Sequence, residues 1–391
     1  MYESIRQVVG RAGLDGWLLY DFHGLNPIAR RLARLPENGV FTRRWFLWIP
    51  VSGDVVWVVS RLEQDQFSDF PGEKLVYVSW RELHHRLREA LAGAFRIAME
   101  YSPGAAVPTV SRVDAGTVEL IRSFGVEVVS SGDLVQAVEA VLDEGQIASH
   151  RRAVSHLMRI KDEVFDLVAE RIASGKPVDE YQVQQEILSR FHTAGLVTDH
   201  PPIVAVNGNA SNPHYAPSGA RHSPIREGDL LLIDMWARED APWGVYGDIT
   251  WMAYVGSSVP ERMAEVFDVV RRARDAAIEF ADAALEEGRD VFGYQVDQAA
   301  RDVIEAAGFG EYFFHRTGHN IGHEVHASGV NMDNLETQDR RRLLPGILFS
   351  VEPGIYLPEF GVRSEVDVLA QEDGVEVTSL PLQGKIVPLL R

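Results

Sequence analysis

The sequence predicts two domains of different class: an α/β domain over residues 1–144 and an α+β domain over residues 145–391. Three observations carry this expectation. The chain has 391 residues, more than one hydrophobic core ordinarily serves. Its first part alternates short apolar runs with helical patterns, whereas after PPIVAVNG the strands come in pairs set between blocks of helix. Between the two parts lies a long, charged helical stretch, and its Gly145 marks the break.

In the first domain GWLLYD (16–21), WFLWIPV (45–51), DVVWVVS (54–60), KLVYVSW (74–80), FRIAMEY (95–101) and VEVVSS (126–131) read as strands. Each is short and rich in β-branched or aromatic residues. Ser52 and Gly53 make a tight turn between the second and third. RELHHRLREAL and AGTVELIRSFG have helical spacing. The segment 21–46 is poorly periodic and reads as a basic loop carrying Arg30, Arg31, Arg34, Arg43 and Arg44. No catalytic cluster is visible in this half.

The second domain opens on the helical stretch from VEAVLDEG to RIASG, and a further helix begins near Asp179, which is placed to cap it. Helices near 259–284 and 293–307 then separate two strand pairs. The order helices, hairpin, helices, hairpin suggests two similar α+β halves.

Composition bounds the function. Fifty-seven acidic against 38 basic residues give a formal charge of −19, which argues against binding a phosphate backbone. Cysteine is absent, so disulfides and thiolate metal sites are excluded. The N-terminal MYESIRQVVGRAGLDG lacks the apolar core of a signal peptide, and no apolar run approaches the ~20 residues of a membrane span. A cytoplasmic enzyme or binding protein is the expectation.

Each predicted hairpin carries two acids. Asp234 and Asp248 flank the turn marked by Pro242 and Gly244, equally far from Ala241; Glu352 and Glu365 flank the turn marked by Pro358 and Gly361. Taken singly, each reads as a turn cap or an ion-pair partner. Together they are four carboxylates able to converge, and unpaired inside a fold they would repel one another at a heavy desolvation cost. Between them, in HRTGHNIGHEVHASG (315–329), His319 sits between Gly318 and Gly322, where the backbone can approach closely. Four carboxylates and an imidazole form a hard donor set suited to Mn²⁺, Co²⁺, Fe²⁺ or Zn²⁺. Two such ions bring four positive charges against the four carboxylates.

The phrases GHNIG, VEPGIY and GVRSEVDVL resemble the motifs of the M24 metallopeptidases of the pita-bread fold, the family of prolidase, aminopeptidase P and methionine aminopeptidase. The resemblance spans about 150–391 as the catalytic domain, and the N-terminal half looks like the creatinase/prolidase-type N-terminal domain. It implies the ligand set Asp234, Asp248, His319, Glu352 and Glu365 in chain order, holding two divalent metal ions per subunit, with manganese foremost and cobalt, zinc or iron as alternatives. It also implies that His214, in NASNPHYAPS, and His326 contact the substrate, and that His315 and Tyr356 line its pocket. Read without the ligand set, His214 is a surface loop residue, His326 a core histidine and Tyr356 a packed strand aromatic. Arg363 shares a strand face with Glu365 and is placed to hold a carboxylate or to make an ordinary salt bridge.

The activity implied is two-metal hydrolysis of Xaa-Pro bonds. Glu352 would accept a proton, while His214 and His326 would stabilise the tetrahedral intermediate or protonate the leaving nitrogen. The expected partners are short proline-containing peptides and a second copy of the chain in a homodimer, with neither nucleic acid nor membrane. An Xaa-Pro dipeptidase is the first reading and an aminopeptidase acting on longer peptides the second; a non-catalytic pita-bread protein and a metal-free amidinohydrolase are the rivals from other classes. Under the dipeptidase reading, Arg43 or Arg44 pairs with the carboxylate of a C-terminal proline. The chain departs from the family in the extra residues AREDAPW and in His323, where the motif carries an apolar residue.

Overall fold

The structure, a computed structural model, describes residues 2–36 and 38–390. The chain separates into one unit that ends at Glu139 and another that begins at Ala140.

The first unit contains α1 (Glu3–Arg11), β1 (Gly16–Asp21), α2 (Pro27–Leu32), β2 (Trp45–Pro50), β3 (Val56–Ser60), β4 (Glu73–Tyr77), α3 (Trp80–Ala90), β5 (Arg96–Met99), α4 (Ala115–Arg122), β6 (Glu127–Ser130) and α5 (Gly132–Val135). Its six strands form one mixed sheet in the order β4-β3-β2-β1-β5-β6, with β1–β2–β3 antiparallel and the outer pairs parallel. Successive side chains on a strand point to opposite faces, and here both faces are covered. Trp17, Leu19, Trp45, Leu47, Trp57 and Val59 pack with α1 and α2. Leu18, Tyr20, Phe46, Trp48 and Val58 pack with Leu83 and Leu87 of α3 and Ile121 of α4. Each fully buried aliphatic or aromatic side chain contributes about 1.5–3 kcal/mol. A capping box between Ser79 and Glu82 starts α3, and Asp114 caps α4.

Two expectations are corrected in this unit. The segment 21–46 is not all loop, because it contains α2, whose N-terminus is capped by Asn26 and primed by Pro27. At six residues the helix is too short to show a periodicity. The connection at Ser52–Gly53 is also longer than a two-residue turn, because β2 ends at Pro50 and β3 starts at Val56, with Gly53 at φ 93.

The second unit contains α6 (Glu144–Ala173), α7 (Glu180–Thr193), β7 (Leu196–Val197), β8 (Ile203–Val206), β9 (Leu230–Glu239), β10 (Gly247–Tyr254), α8 (Glu261–Glu286) and α9 (Gly293–Ala306). After these come β11 (Asn320–Ile321), β12 (Leu348–Val351), β13 (Gly354–Tyr356), β14 (Gly361–Arg363), β15 (Val366–Gln371), β16 (Gly374–Val377) and β17 (Val387–Pro388). Asp179 caps α7 as its position suggests, and Asp143 with Gln146 forms a capping box at α6, which places Gly145 in that helix's first turn. One sheet runs β17-β10-β9-β7, with β8 also paired to β9, and a second runs β11-β12-β15-β16. Each follows a helix pair, so the alternation of helices and hairpins holds.

The odd-numbered residues Leu231, Ile233, Met235 and Ala237 of β9, with Ile249, Trp251 and Ala253 of β10, pack on Leu157, Ile160 and Val164 of α6 and Val183 and Ile187 of α7. On the other face Leu230, Leu232 and Met252 join the core built on α8. That second face is apolar only at this end. Further along, it carries Asp234, Trp236, Asp248 and Thr250.

A candidate metal centre between two hairpins

In the β9–β10 pair Asp234 lies opposite Thr250 and Asp248 opposite Trp236. The two aspartates are therefore diagonal neighbours on one face, not direct partners, and the hairpin turns about Pro242 instead of Ala241. The shift arises because β9 continues to Glu239 to pair with β7 at Leu196. The second hairpin keeps the symmetry read from the sequence: the pairs Val351–Val366 and Gly354–Arg363 bracket Glu352 and Glu365 in one register. Neither glutamate completes that ladder. Glu365 donates its N–H to Thr250 O at 3.3 Å, and Glu352 donates to Thr317 O at 2.7 Å. Glu365 thus ties its hairpin to β10, and Glu352 ties it to the segment that carries His319.

His319 donates its N–H to Ser350 Oγ (3.0 Å) and accepts from Ser350 N (2.9 Å). Gly318 must be glycine for this approach, since a Cβ there would stand 1.9 Å from Ser350 O. The His319 Nε2 lies 3.6 Å from Asp248 Oδ2 and 3.4 Å from Glu352 Oε1. Donor atoms of Asp248, His319 and Glu365 lie within 4.8 Å of one another, all three residues being buried. Thr250 Oγ1 donates to Glu365 Oε2 (2.8 Å) and Ser350 Oγ to Glu352 Oε1 (3.2 Å). Asp234 enters differently, as its Oδ2 is bonded by Arg363 Nη2.

The electrostatics are those of a site built for cations. Burial first, then Glu365, Asp234, Asp367 and Glu352, push the Asp248 carboxyl well above the usual range. Burial and then Glu352 and Asp234 do the same to Glu365, and burial lifts Glu352 to about 7 against the pull of Arg363. Burial, His326 and Arg316 push the His319 imidazole well below its ordinary value, keeping it neutral. Asp248 Oδ1 is buried without a hydrogen-bond partner. An orphaned carboxylate oxygen beside a neutral imidazole and two further carboxylates is a donor set that fits divalent cations, which would replace the retained protons.

The other expected residues fall at different distances from this cluster. The His326 ring stands edge-on to His319, centroids 4.2 Å apart, and burial followed by Arg316 holds it down to about 4. His214 is exposed, its N–H bonded to Asn212 Oδ1, and its charge is among those acting on Asp234 and His326. His315 Nε2 is 2.7 Å from the Tyr356 hydroxyl, which accepts from Arg363 Nη1 at 3.0 Å. Burial, then Arg363, holds His315 down to about 3, and burial lifts Tyr356 to about 12. Buried Arg363 also donates to Thr250 Oγ1, so it braces Asp234, Tyr356 and Thr250 at once. Arg43 and Arg44 belong to the first unit, where Glu63 accepts the Thr42 and Arg43 N–H groups and Tyr77 OH bonds Arg44 O. The two departures noted in the sequence lie close together: His323 Nδ1 bonds the O of Gly244, the residue that follows AREDAPW, at 2.9 Å.

Three residues escape the sequence reading. Thr250 and Ser350 are neutral donors to the candidate ligands Glu365 and Glu352, and nothing in their local sequence distinguishes them. Asp367, fully buried, accepts the Asp248 N–H at 3.0 Å. Its signal is available, since it follows Glu365 by two residues, the spacing that draws attention to Arg363.

The family model described as Metallopeptidase family M24 matches residues 152–372. A probable dipeptidase PepE of Mycobacterium tuberculosis is 30% identical over 356 residues, covering 89% of this chain and 87% of that protein. An Xaa-Pro dipeptidase of Lactobacillus helveticus is 32% identical over 227 residues, 57% of this chain and 54% of that one. Among solved structures, dipeptidase PepE from Mycobacterium ulcerans matches with a TM-score of 0.74 at 24% identity, over 100% of this chain and 97% of that one. This likeness bears on the fold, and the expected arrangement holds: an N-terminal α/β domain followed by a pita-bread α+β domain.

Proposed function

The chain belongs to metallopeptidase family M24, and from that premise we propose that it hydrolyses Xaa-Pro dipeptides using two divalent cations held by Asp234, Asp248, His319, Glu352 and Glu365. The observation that carries this reading is the convergence of buried Asp248, His319 and Glu365 donor atoms, with Glu352 against the same imidazole. Charge supports two ions. Of the acids Asp234, Asp248, Glu352, Glu365 and Asp367, Asp234 is paired with Arg363, and two divalent ions would balance the other four. Manganese is the ion we assign, with cobalt, iron or zinc able to use the same oxygen-rich set. A cytoplasmic homodimer is the proposed setting.

The bound ions would activate water near neutral pH and polarise the scissile carbonyl. The protein's own groups do the rest. Glu352 accepts and passes the proton at its carboxylate. His326 and His214 donate to the oxygen that becomes negative in the transition state or to the leaving imino nitrogen. Arg363 keeps Asp234 and Tyr356 in fixed orientation, and the Tyr356 hydroxyl and His315 form one wall of the pocket. To Arg43 and Arg44 we assign the proline carboxylate.

The test is chelator-stripped protein reconstituted with Mn²⁺ and assayed on Xaa-Pro dipeptides beside Xaa-Pro-Xaa tripeptides. We expect metal-dependent turnover of the dipeptides and two ions bound per chain. Turnover that survives stripping, or tripeptides cleaved as well as dipeptides, overturns the reading.

A further inference from the structure

The strands β7 and β8 both pair with β9 but in registers two residues apart, with Val197 opposite Arg238 and Ile203 opposite Asp234. Residues 198–202 therefore bulge beside Trp236. The β7 register, continued, brings Asp199 opposite Trp236, and their side chains meet: Trp236 Nε1 donates to Asp199 Oδ1 at 2.8 Å. Cross-strand partners share a face of the sheet. Trp236 shares its face with Asp234 and lies opposite Asp248, so Asp199 is held on the face that carries the metal-ligand candidates.

Asp199 nevertheless stands outside the donor cluster. Its side chain is 45% exposed, and its other oxygen lies 3.2 Å from the exposed His200 imidazole. Burial pushes its carboxyl up, but the bonds from Trp236 and His200 outweigh this and hold it below the usual range, so it is charged at neutral pH. A fixed, half-open anion on the site face favours a cation in the peptide and repels its carboxylate end. In a zwitterionic dipeptide the cation is on the first residue.

We propose that Asp199 binds the ammonium group of the substrate's first residue, with Trp236 as the positioning residue that aims it. The assignment rests on the peptidase reading and adds to it the direction in which the peptide lies. The ammonium has two possible sources: the α-amine of any peptide, or the side chain of a lysine in first position.

The experiment uses metal-loaded full-length protein and the dipeptides Leu-Pro, Lys-Pro, Leu-Ala and Lys-Ala. Asp199→Asn keeps an acceptor for Trp236 but removes the charge, and Asp199→Glu keeps the charge. A charged hydrogen bond of the usual strength predicts a rise in KM of about tenfold or more for Asp199→Asn, with kcat within about twofold and partial rescue by Asp199→Glu. An equal rise for leucyl and lysyl peptides assigns the α-ammonium, and a rise confined to lysyl peptides assigns the side chain. Unchanged KM in Asp199→Asn, or a loss in kcat alone that Asp199→Glu shares, overturns the proposal. The alanyl peptides separate this from the proline reading: if only they are cleaved, Xaa-Pro specificity fails while the Asp199 effect is still read on them.

Discussion

Asp367 Oδ2 accepts the backbone N–H of Asp248 at 3.0 Å, so one buried carboxylate stands directly behind another. Among the described residues Asp367 is paired with no cation. Its Oδ1 is buried without a partner, and the His150 Nε2, 3.9 Å from its Oδ2, belongs to an imidazole that burial holds down to about 4 and therefore neutral. A buried carboxylate without a counter-charge costs more than a neutral acceptor of the same bond. A cation in front of Asp248 is what would repay it.

Asp367→Asn should therefore preserve the bond to Asp248 N and weaken metal binding. Substitutions one layer behind a ligand typically cost about 10–100-fold in affinity. Competition for Mn²⁺ against a calibrated chelator measures it, with kcat at saturating metal staying near wild type. Unchanged affinity would mean that Asp367 serves only the backbone.

Asp248→Asn and Glu365→Gln should separate stability from function. The folded protein holds both carboxyls well above their ordinary range, so it binds more protons than the unfolded chain. That contribution is complete below the unfolded value near 4 and is lost as pH rises. At pH 8 each variant, stripped of metal, should melt higher than stripped wild type, by roughly 2–4 °C per kcal/mol of repulsion relieved. Each should also lose most of the metal-induced rise in Tm together with its activity. A metal-free melting point below wild type would show that the cluster is not strained.

The two hairpins were unequally legible, for a reason that lies outside them. Glu352 and Glu365 are symmetric about their turn and the register keeps that symmetry, because β12, β13, β14 and β15 pair within one hairpin. The symmetry of Asp234 and Asp248 about Ala241 misleads, because β7 extends β9 beyond the hairpin and moves the turn. Asp367 was within reach of period-two reasoning. Asp199 was not: its place depends on a register slip between two short strands, which no local pattern records. The burial of β1 and β2 on both faces is written in their unbroken apolar runs, whereas α2 is a turn and a half held by one asparagine cap.

His326→Ala and His214→Ala should lower kcat with metal content unchanged. Proton-transfer and oxyanion roles are each worth about 10²–10⁴ in rate. His326 packs against His319, so its variant also needs a metal titration to show that the ligand has not moved. A kcat/KM at the wild-type level returns either residue to a structural role.

Glu100 gives the first unit a pH signature of its own. It is fully buried, bonded by Trp17 Nε1 at 2.5 Å and Asn26 Nδ2 at 2.7 Å, and burial lifts it to about 7 despite those donors. The folded state therefore keeps a proton that the unfolded chain releases near pH 4.5. The stability this supplies is complete below that pH, declines as pH rises to about 7 and is gone above it. The decline amounts to about 3 kcal/mol by linkage. Glu100→Gln should flatten this dependence, read as denaturant unfolding between pH 5 and 8 by hydrogen exchange in β1 and β5. An equally steep decline in the variant would place the titration elsewhere.

The proposed length selection turns on Arg43 and Arg44. Glu63 fixes the backbone of Thr42 and Arg43, and Tyr77 fixes Arg44 O, so truncating either arginine leaves the main chain anchored. Among the described residues the Arg43 guanidinium donates only to adjacent Thr42, at 3.2 and 3.0 Å, and is paired with no acid. Such a group is available to a carboxylate, which a guanidinium can grip through two parallel bonds. A peptide that continues past proline has no carboxylate at that point. Arg43→Ala and Arg44→Ala should then raise KM for Xaa-Pro by about tenfold, the usual cost of a charged hydrogen bond, and change tripeptide cleavage little. The ratio of dipeptide to tripeptide kcat/KM should fall accordingly. If both variants keep the wild-type ratio, these arginines do not measure length, and an aminopeptidase acting on longer peptides becomes the better reading of the site.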